Sequence, residues 1–200
     1  VLNCPVLRLE DLPMGTRLHT PLGECTADAV IFAAGAWLPE VNPWFREKIV
    51  PVREHSQSGP MESLSLPSAL RAQYGYVQWV TQENYWAISG CRWATPHLEF
   101  GETDDNTTSA PIQAALSQFR SKYFNHNIAP TRQWSTLWAK SCDGLPIIGP
   151  LPGRATWVSC TGFMGNDWGW GMRAAKAVAS GLLHGEAKEI PDWMTPARFV

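Results

Sequence analysis

The sequence lacks the features that mark membrane-spanning, secreted and nucleic-acid-binding proteins. Its 200 residues contain no apolar run that approaches the roughly 20 residues needed to cross a bilayer. The first residues, VLNCPVLRLEDLPMG, show no charged segment followed by an apolar one, as a signal peptide would. Lysine and arginine number 16 against 18 aspartates and glutamates, so there is no basic excess. These absences predict no membrane span and no nucleic-acid partner.

Metal-binding and disulfide patterns are missing as well. There are five cysteines, an odd number, and they are widely spaced with no CxxC pair. The histidines show no metal-ligand spacing either. The sequence therefore predicts no metal site and no disulfide framework, and it indicates a reducing, cytoplasmic compartment.

Tryptophan is the residue type in excess. The chain has 11 tryptophans, with 44% apolar and 17% charged residues overall, which is typical of a folded protein. Each indole buries a large area and brings an N–H that needs a partner. Such a composition fits a pocket for a flat ligand or a tryptophan-rich core, and composition alone favours the core.

The first third of the sequence contains one strand of a distinctive kind. Residues 29–34, AVIFAA, form a short continuous apolar run that is followed by Gly35, Ala36 and Trp37. A run without alternation predicts a strand buried on both faces, as in a parallel sheet covered by helices. A second strand is predicted at Thr16–Thr20, with a turn over residues 21–24.

The middle of the chain predicts a mainly antiparallel sheet with one helix. Residues 49–55 form one strand, and residues 74–80 and 85–89 form a hairpin whose second strand extends through residues 91–100. A helix follows, with Pro111 in its first turn. The residues at helical spacing on its apolar face are Ile112, Ala115, Leu116, Phe119 and Tyr123.

The end of the chain carries the strongest local pattern. A strand at 157–160 enters a glycine-rich turn at 162–171 and leaves as a helix over 172–183, after a loop at 143–153. We expect Met172, Ala175, Ala179 and Leu182 on the buried face of that helix. The helix N-terminus can hold a phosphate or a delocalised anion, or the small residues serve only close packing. Neither a Walker loop nor a dinucleotide fingerprint is present.

Together these elements predict a mixed α+β and α/β fold with a domain that is interrupted in sequence. Residues 1–48 and 139–200 are expected to form part of a Rossmann-like domain. Residues 49–138 are expected to form an antiparallel-sheet domain inserted between them.

Three segments in this order resemble the D-amino-acid oxidase-like FAD-dependent oxidoreductase superfamily, which includes glycine and sarcosine oxidases. ADAVIFAAGAWLPE at 27–40, followed by IVPVREH at 49–55, resembles its late FAD-domain strand and the entry into its substrate domain. CDGLPIIGPLPG at 142–153 resembles the family's PDGLPIIGP segment. TGFMGNDWGWG at 161–171 resembles its final glycine-rich turn.

The resemblance implies FAD as the cofactor and hydride transfer from a carbon beside an amine nitrogen to flavin N5, with an amine or amino-acid-like molecule as the substrate. It assigns no catalytic acid or base. The residues expected to contact FAD are Gly35, Ala36, Trp37, Gly162, Phe163, Met164, Gly165, Asn166 and Asp167. The antiparallel sheet is expected to cover the substrate, with His55, Trp86 and Trp138 as candidate contacts, although His55 and the aromatic residues also suit structural roles.

Two residues depart from the family pattern. Trp138 stands where several amino-acid oxidases have the arginine that binds the substrate carboxylate, and an indole cannot make that bidentate contact. Asp167 stands where the final turn usually has glycine; we expect it to cap the helix, with contact to a substrate amine as the alternative.

The N-terminal GxGxxG segment that holds the FAD pyrophosphate in this family is absent from the sequence. We therefore expect the chain to be the C-terminal part of a longer enzyme and to be inactive alone. The alternative is a non-catalytic binding module that kept the fold and lost FAD.

Overall fold

The computed structural model describes residues 3–61, 69–72, 77–82, 85–124, 129–185 and 190–200. The chain divides into two compact units. Unit 1 combines Val1–Val50 with Trp138–Val200, and unit 2 is the continuous segment Pro51–Leu137.

The secondary structure of the described residues is mixed. The strands are β1 (Arg8–Asp11), β2 (Thr16–Thr20), β3 (Gly23–Ala27), β4 (Val30–Phe32), β5 (Ile49–Pro60), β6 (Leu70–Ala72), β7 (Val77–Gln82), β8 (Tyr85–Gly90), β9 (Arg132–Ser141), β10 (Ile147–Leu151) and β11 (Arg154–Thr161). The helices are α1 (Leu38–Val41), α2 (Ala110–Phe124) and α3 (Asp167–His184), joined by short 3₁₀ turns.

Unit 1 begins with an antiparallel meander of β1, β2 and β3. β2 lies where the sequence predicts a strand, but the predicted four-residue turn is shorter because β3 already starts at Gly23. The Thr20 hydroxyl holds this tight turn by accepting a hydrogen bond from the N–H of Leu22. The meander joins the second sheet of unit 1 through Trp157, whose indole N–H donates to the Thr16 hydroxyl at 2.6 Å.

The second sheet of unit 1 has the order β10-β11-β4. β4 pairs with β11 in parallel, with Val30 opposite Trp157 and Phe32 opposite Ser159, as the apolar run predicts. The prediction of a loop over residues 143–153 is wrong at its centre, where β10 pairs with β11 antiparallel. Pro150 is tolerated there because β10 is an edge strand and the ladder shifts register beside it.

α3 packs on this sheet with a different face from the one predicted. The buried residues are Ala174, Ala177 and Val178, and of these Ala174 and Val178 cluster with Ile148 and Val158. Of the predicted face only Leu182 reaches this cluster; Ala175 and Ala179 face outward, and Met172 is 82% exposed. The helix ends at Gly185, which is left-handed with φ +69°.

Unit 2 is built on the sheet order β6-β7-β8-β5-β9. β7 and β8 form the predicted antiparallel hairpin, with Gln82 opposite Tyr85, and residues 83–84 and 73–76 lie outside the described part of the chain. The predicted extension of β8 through residues 91–100 is wrong. Cys91 adopts φ +57°, and a 3₁₀ turn follows at Arg92–Ala94, because a left-handed residue ends the extended backbone.

α2 covers the sheet of unit 2 with the predicted apolar face. Ile112, Ala115, Leu116 and Phe119 are buried in a cluster with Trp86, Ile88 and Cys91. Tyr123 was predicted on the same face but is 55% exposed near the last turn of the helix, where its ring contacts that of Phe119.

Candidate functional site

The final glycine-rich turn occupies five residues between β11 and α3. Gly162 and Gly165 adopt φ +75° and φ +78°, and Met164 between them adopts φ +57°. The N–H of Asn166 donates to the carbonyl of Phe163 at 2.9 Å and closes the turn. A left-handed non-glycine residue such as Met164 costs energy, so its presence in this turn points to a functional constraint.

The carboxyl ends of β4 and β11 lie at one edge of the sheet because the two strands are parallel neighbours. β11 leads into Gly162, and β4 leads through the exposed Ala33 and Ala34 into Gly35, which is left-handed with φ +54°. In open sheets with parallel strands, ligands bind outside these carboxyl ends. The structure thus brings the two predicted groups of cofactor-contacting residues to the same edge.

The N-terminus of α3 is exposed at this edge. Residues 165–170 are exposed, and the N-cap residue Asn166 makes no side-chain hydrogen bond to the helix. The expectation that Asp167 caps the helix is wrong, because Asp167 is already the first helical residue. Its carboxylate instead lies in the first turn, where the helix dipole favours negative charge. The first backbone N–H groups have no acceptor within the helix and can serve a ligand.

Two buried hydroxyl groups lie at the base of the turn. Ser141 and Thr161 are buried, and neither hydroxyl has a hydrogen-bond partner among the described residues. A Cβ added at Gly162 would lie 3.3 Å from the Cβ of Ser141, which places Ser141 directly beside the turn. Buried hydroxyls normally have partners, so these two donors suit a polar group that reaches the turn. Sequence reasoning missed both residues.

These features together fit the cofactor that the family implies. FAD has a flat ring system with a polar edge and an anionic diphosphate, and it needs close backbone approach and N–H donors. The small residues that follow β4 and the left-handed turn permit close backbone approach. The open start of α3 supplies the N–H donors. The site residues predicted from sequence in unit 1 are therefore compatible with FAD.

A cleft of about 380 Å³ runs along β4. It is lined by apolar side chains of residues 5–41, among them Leu9, Leu18, Ile31 and Trp37. Ile31 is 49% exposed, although its neighbour Phe32 is buried. In the described part of the chain, β4 is the last strand of its sheet on this side.

His55 lies in a buried ionic cluster of unit 2. Its Nε2 is 2.9 Å from Oε2 of Glu99, and its Nδ1 accepts the N–H of Ser109 at 3.4 Å. Arg53 donates to the same Glu99 oxygen at 2.7 Å. Burial alone raises the pKa of a carboxyl group, but the hydrogen bonds from Arg53 and His55 outweigh burial and hold the pKa of Glu99 below its usual range.

The other two candidate substrate residues have different surroundings. Trp86 is fully buried in the core of unit 2, where its indole N–H donates to the carbonyl of Pro60 and the Arg120 guanidinium lies 4.3 Å from its ring centroid. Trp138 is half-buried in β9. His55 and Trp86 already have partners within unit 2, so their substrate roles stay predictions.

The DGLPIIGP segment is anchored through an ion pair that sequence reasoning did not find. Arg198 donates to both carboxylate oxygens of Asp143, at 2.7 and 3.1 Å, and also to the carbonyl of Leu145. The hydrogen bond from Arg198 lowers the pKa of Asp143. The pair is 55 residues apart in sequence, so no local pattern could reveal it.

No group of three or more histidine, cysteine, aspartate or glutamate side chains in the described part of the chain could hold a metal ion. No described helix is long and apolar enough to cross a membrane.

Comparisons with known proteins connect this geometry to a family. The chain is 27% identical over 185 residues to an uncharacterized oxidoreductase in the pyp 5′ region of Halorhodospira halophila, covering 90% of this chain and 83% of that protein. It is 28% identical to a D-amino acid dehydrogenase of Cereibacter sphaeroides, covering 88% of this chain and 39% of that protein. The crystal structure of glycine oxidase from Geobacillus kaustophilus superposes with a TM-score of 0.81 at 18% identity.

The glycine oxidase match covers 98% of this chain and 52% of that structure, so the chain spans about half its length. This likeness confirms the mixed fold predicted from sequence. The family model described as FAD dependent oxidoreductase matches residues 1–180. The chain therefore belongs to the FAD-dependent oxidoreductase family that its three sequence segments resemble.

Proposed function

We propose that this chain is the C-terminal part of an FAD-dependent enzyme that oxidises an amine or an amino-acid-like substrate. The observation that carries the proposal is the shared carboxyl edge of β4 and β11, where the turn at Gly162 meets the exposed start of α3. Family membership supports the cofactor, and the names glycine oxidase and D-amino acid dehydrogenase support the substrate class. In this proposal unit 1 holds FAD and unit 2 is the substrate domain.

The residues of unit 1 would hold the cofactor mainly through the backbone. FAD, when bound, supplies the acceptor for a hydride from the carbon beside the amine nitrogen. The N–H groups of Gly165 and Asp167 and the dipole of α3 would stabilise negative charge at the polar edge of the ring. Ala36 and Phe163 are buried, so they would shape the site through their backbone, whereas Trp37 is exposed. Ser141 and Thr161 add two hydroxyl donors at the base of the glycine-rich turn.

The substrate class follows from Trp138. An indole offers one N–H and no charge, so it cannot replace the two parallel hydrogen bonds that an arginine makes to a carboxylate. We propose a substrate that is an amine or a modified amino acid, in preference to a plain amino acid.

The exposure of β4 supports the proposal that an additional segment of the protein completes unit 1. A strand with apolar residues on both faces belongs inside a parallel sheet covered on both sides. β4 instead has the half-exposed Ile31 and an apolar cleft beside it within the described residues. We propose that a parallel strand from an N-terminal half, which carries the phosphate-binding glycine-rich turn, pairs with β4.

The test is to replace Gly165 by valine in the protein expressed from its complete reading frame. The new side chain would have nothing within 4 Å in the described chain, so it would project into the space assigned to the cofactor. Gly153→Val is the matched control, because Gly153 has φ +73° and equally open surroundings in the β10–β11 hairpin. The measurement is the flavin absorbance per protein after purification and after titration with FAD.

We expect Gly165→Val to lose most of its flavin and Gly153→Val to retain it, with both variants folded by circular dichroism. Equal flavin content in the two variants would contradict the assignment of the turn. A folded complete protein that stays colourless with added FAD would favour a binding module without the cofactor.

A further inference from the structure

A second cleft in unit 1 lies between α3 and the C-terminal segment. Its volume is about 280 Å³. Its floor consists of Ile148, Ala174, Ala177 and Met194, all of which are buried. The two alanines lie three residues apart on one face of α3. Because their side chains are small, they do not fill the cleft.

Two tryptophans form the walls of this cleft. Trp170 on α3 is 41% exposed, and Trp193 in the C-terminal segment is 50% exposed. Leaving so much indole surface in water is unfavourable, at roughly 25 cal/mol per Å² of apolar area. The two rings therefore offer aromatic surface that a flat apolar ligand would cover. Neither indole N–H donates a hydrogen bond to another described residue, so both can serve a ligand oxygen.

The described residues that line the cleft include one charged side chain. Arg173 is the ionisable residue among the described residues that line the cleft, and its guanidinium has no ion pair or hydrogen bond in the described part of the chain. A guanidinium presents a fork of donors that matches a carboxylate. The combination of an apolar cleft with one cation selects an apolar molecule that carries one anionic group.

The cleft is preformed because its outer wall is anchored. The N–H of Met194 donates to the carbonyl of Pro191 at 2.9 Å, and a 3₁₀ turn holds this segment. Farther along, Arg198 fixes the segment to Asp143. A preformed site spares the ligand the cost of ordering the chain.

We propose that this cleft is a binding site for a single-ring aromatic carboxylate, with the ring between Trp170 and Trp193 and the carboxylate at Arg173. The volume of about 280 Å³ lies just under the roughly 300–1,000 Å³ typical of sites for larger ligands. None of the residues assigned to FAD lines the cleft, and the site does not depend on the proposed oxidase activity.

The probe for the test is 3-phenylpropionate, titrated into the full chain and followed by ligand-observed NMR; its neutral amide is the control for charge. We expect saturable binding of the acid, and binding of the amide that is roughly tenfold weaker, as loss of one charge-assisted contact implies. No measurement of flavin or activity is needed, so failure of this site and failure of the proposed function are distinguishable.

Two variants test the roles of the cation and the floor. Arg173→Gln should weaken binding of the acid roughly tenfold and leave binding of the amide unchanged, whereas Lys176→Gln, on the exposed part of α3, should change neither. Ala177→Leu should abolish binding by filling the floor, with the exposed Ala175→Leu as its control. No saturable binding of the acid below about 10 mM, or equal binding to wild type and Arg173→Gln, would overturn the proposal.

Discussion

Replacement of Glu99 by alanine should destabilise unit 2 more than the loss of any exposed acidic residue. Glu99 is fully buried and accepts hydrogen bonds from Arg53 at 2.7 Å and from His55 at 2.9 Å. Thr95 at 3.4 Å and a second nitrogen of Arg53 at 3.5 Å contribute longer contacts. Alanine would remove all these acceptor contacts and leave a buried guanidinium without its main counter-charge.

The magnitude follows from the two short contacts. A hydrogen bond to a charged group contributes about 1.5–3 kcal/mol to stability, so two of them correspond to about 3–6 kcal/mol. Breaking a buried ion pair by removing one partner costs about 3–5 kcal/mol, which agrees with that range. We therefore expect Glu99→Ala to lower the free energy of unfolding of unit 2 by about 4 kcal/mol.

The control is Glu102→Ala. Glu102 also pairs with Arg53, but at 3.9 Å and with 36% of its side chain exposed. An exposed pair of this kind contributes about 0–1 kcal/mol. Urea denaturation of both variants, followed by circular dichroism, measures the difference. If Glu99→Ala loses no more stability than Glu102→Ala, the desolvation of Glu99 cancels its ion pair, and the reasoning is refuted.

Three further outcomes are expected. Folding lowers the pKa of Glu99, so the stabilisation by its carboxylate is full above the unfolded pKa of about 4.3 and is lost as the pH falls through the folded pKa. The difference in free energy of unfolding between wild type and Glu99→Gln should therefore narrow below about pH 4. Urea denaturation at several pH values would measure this difference. Gly162→Ala should lower the free energy of unfolding by about 1–3 kcal/mol, because its Cβ would combine φ +75° with a 3.3 Å contact to Ser141. Gly59→Ala should cost about 1–3 kcal/mol, since its Cβ would lie 2.9 Å from the ring of Trp86 and displace it, which near-ultraviolet circular dichroism would report.

Local patterns predicted the elements that local physics determines. The run AVIFAA predicted a strand of a parallel sheet, and residues 30–32 of this run form β4, which pairs in parallel with β11. The apolar spacing from Ile112 to Phe119 became the buried face of α2. The turn before α3 was recognised from its glycines, although the helix starts earlier than predicted.

The features that sequence reasoning missed depend on distant partners. Glu99 and Arg53 are 46 residues apart, and nothing around either residue signals that they meet. β10 was not predicted because it contains Gly149 and Pro150, although an edge strand tolerates proline. The buried face of α3 was misassigned because Met172 and Ala175 look like core residues, whereas Ala174 and Val178 are the residues that pack on the sheet. The hydroxyls of Ser141 and Thr161 stand out only once burial is known.

The division of unit 1 into two stretches of sequence sets an order of events during synthesis. β4 must pair with residues 157–159, which follow the whole of unit 2 in the chain. At about 5–20 residues per second, the ribosome needs roughly ten seconds to make the intervening segment. Unit 2 is continuous and can collapse during that time, while the edge of β4 that pairs with β11 stays open. That edge can therefore pair with another chain between the appearance of residue 32 and that of residue 159.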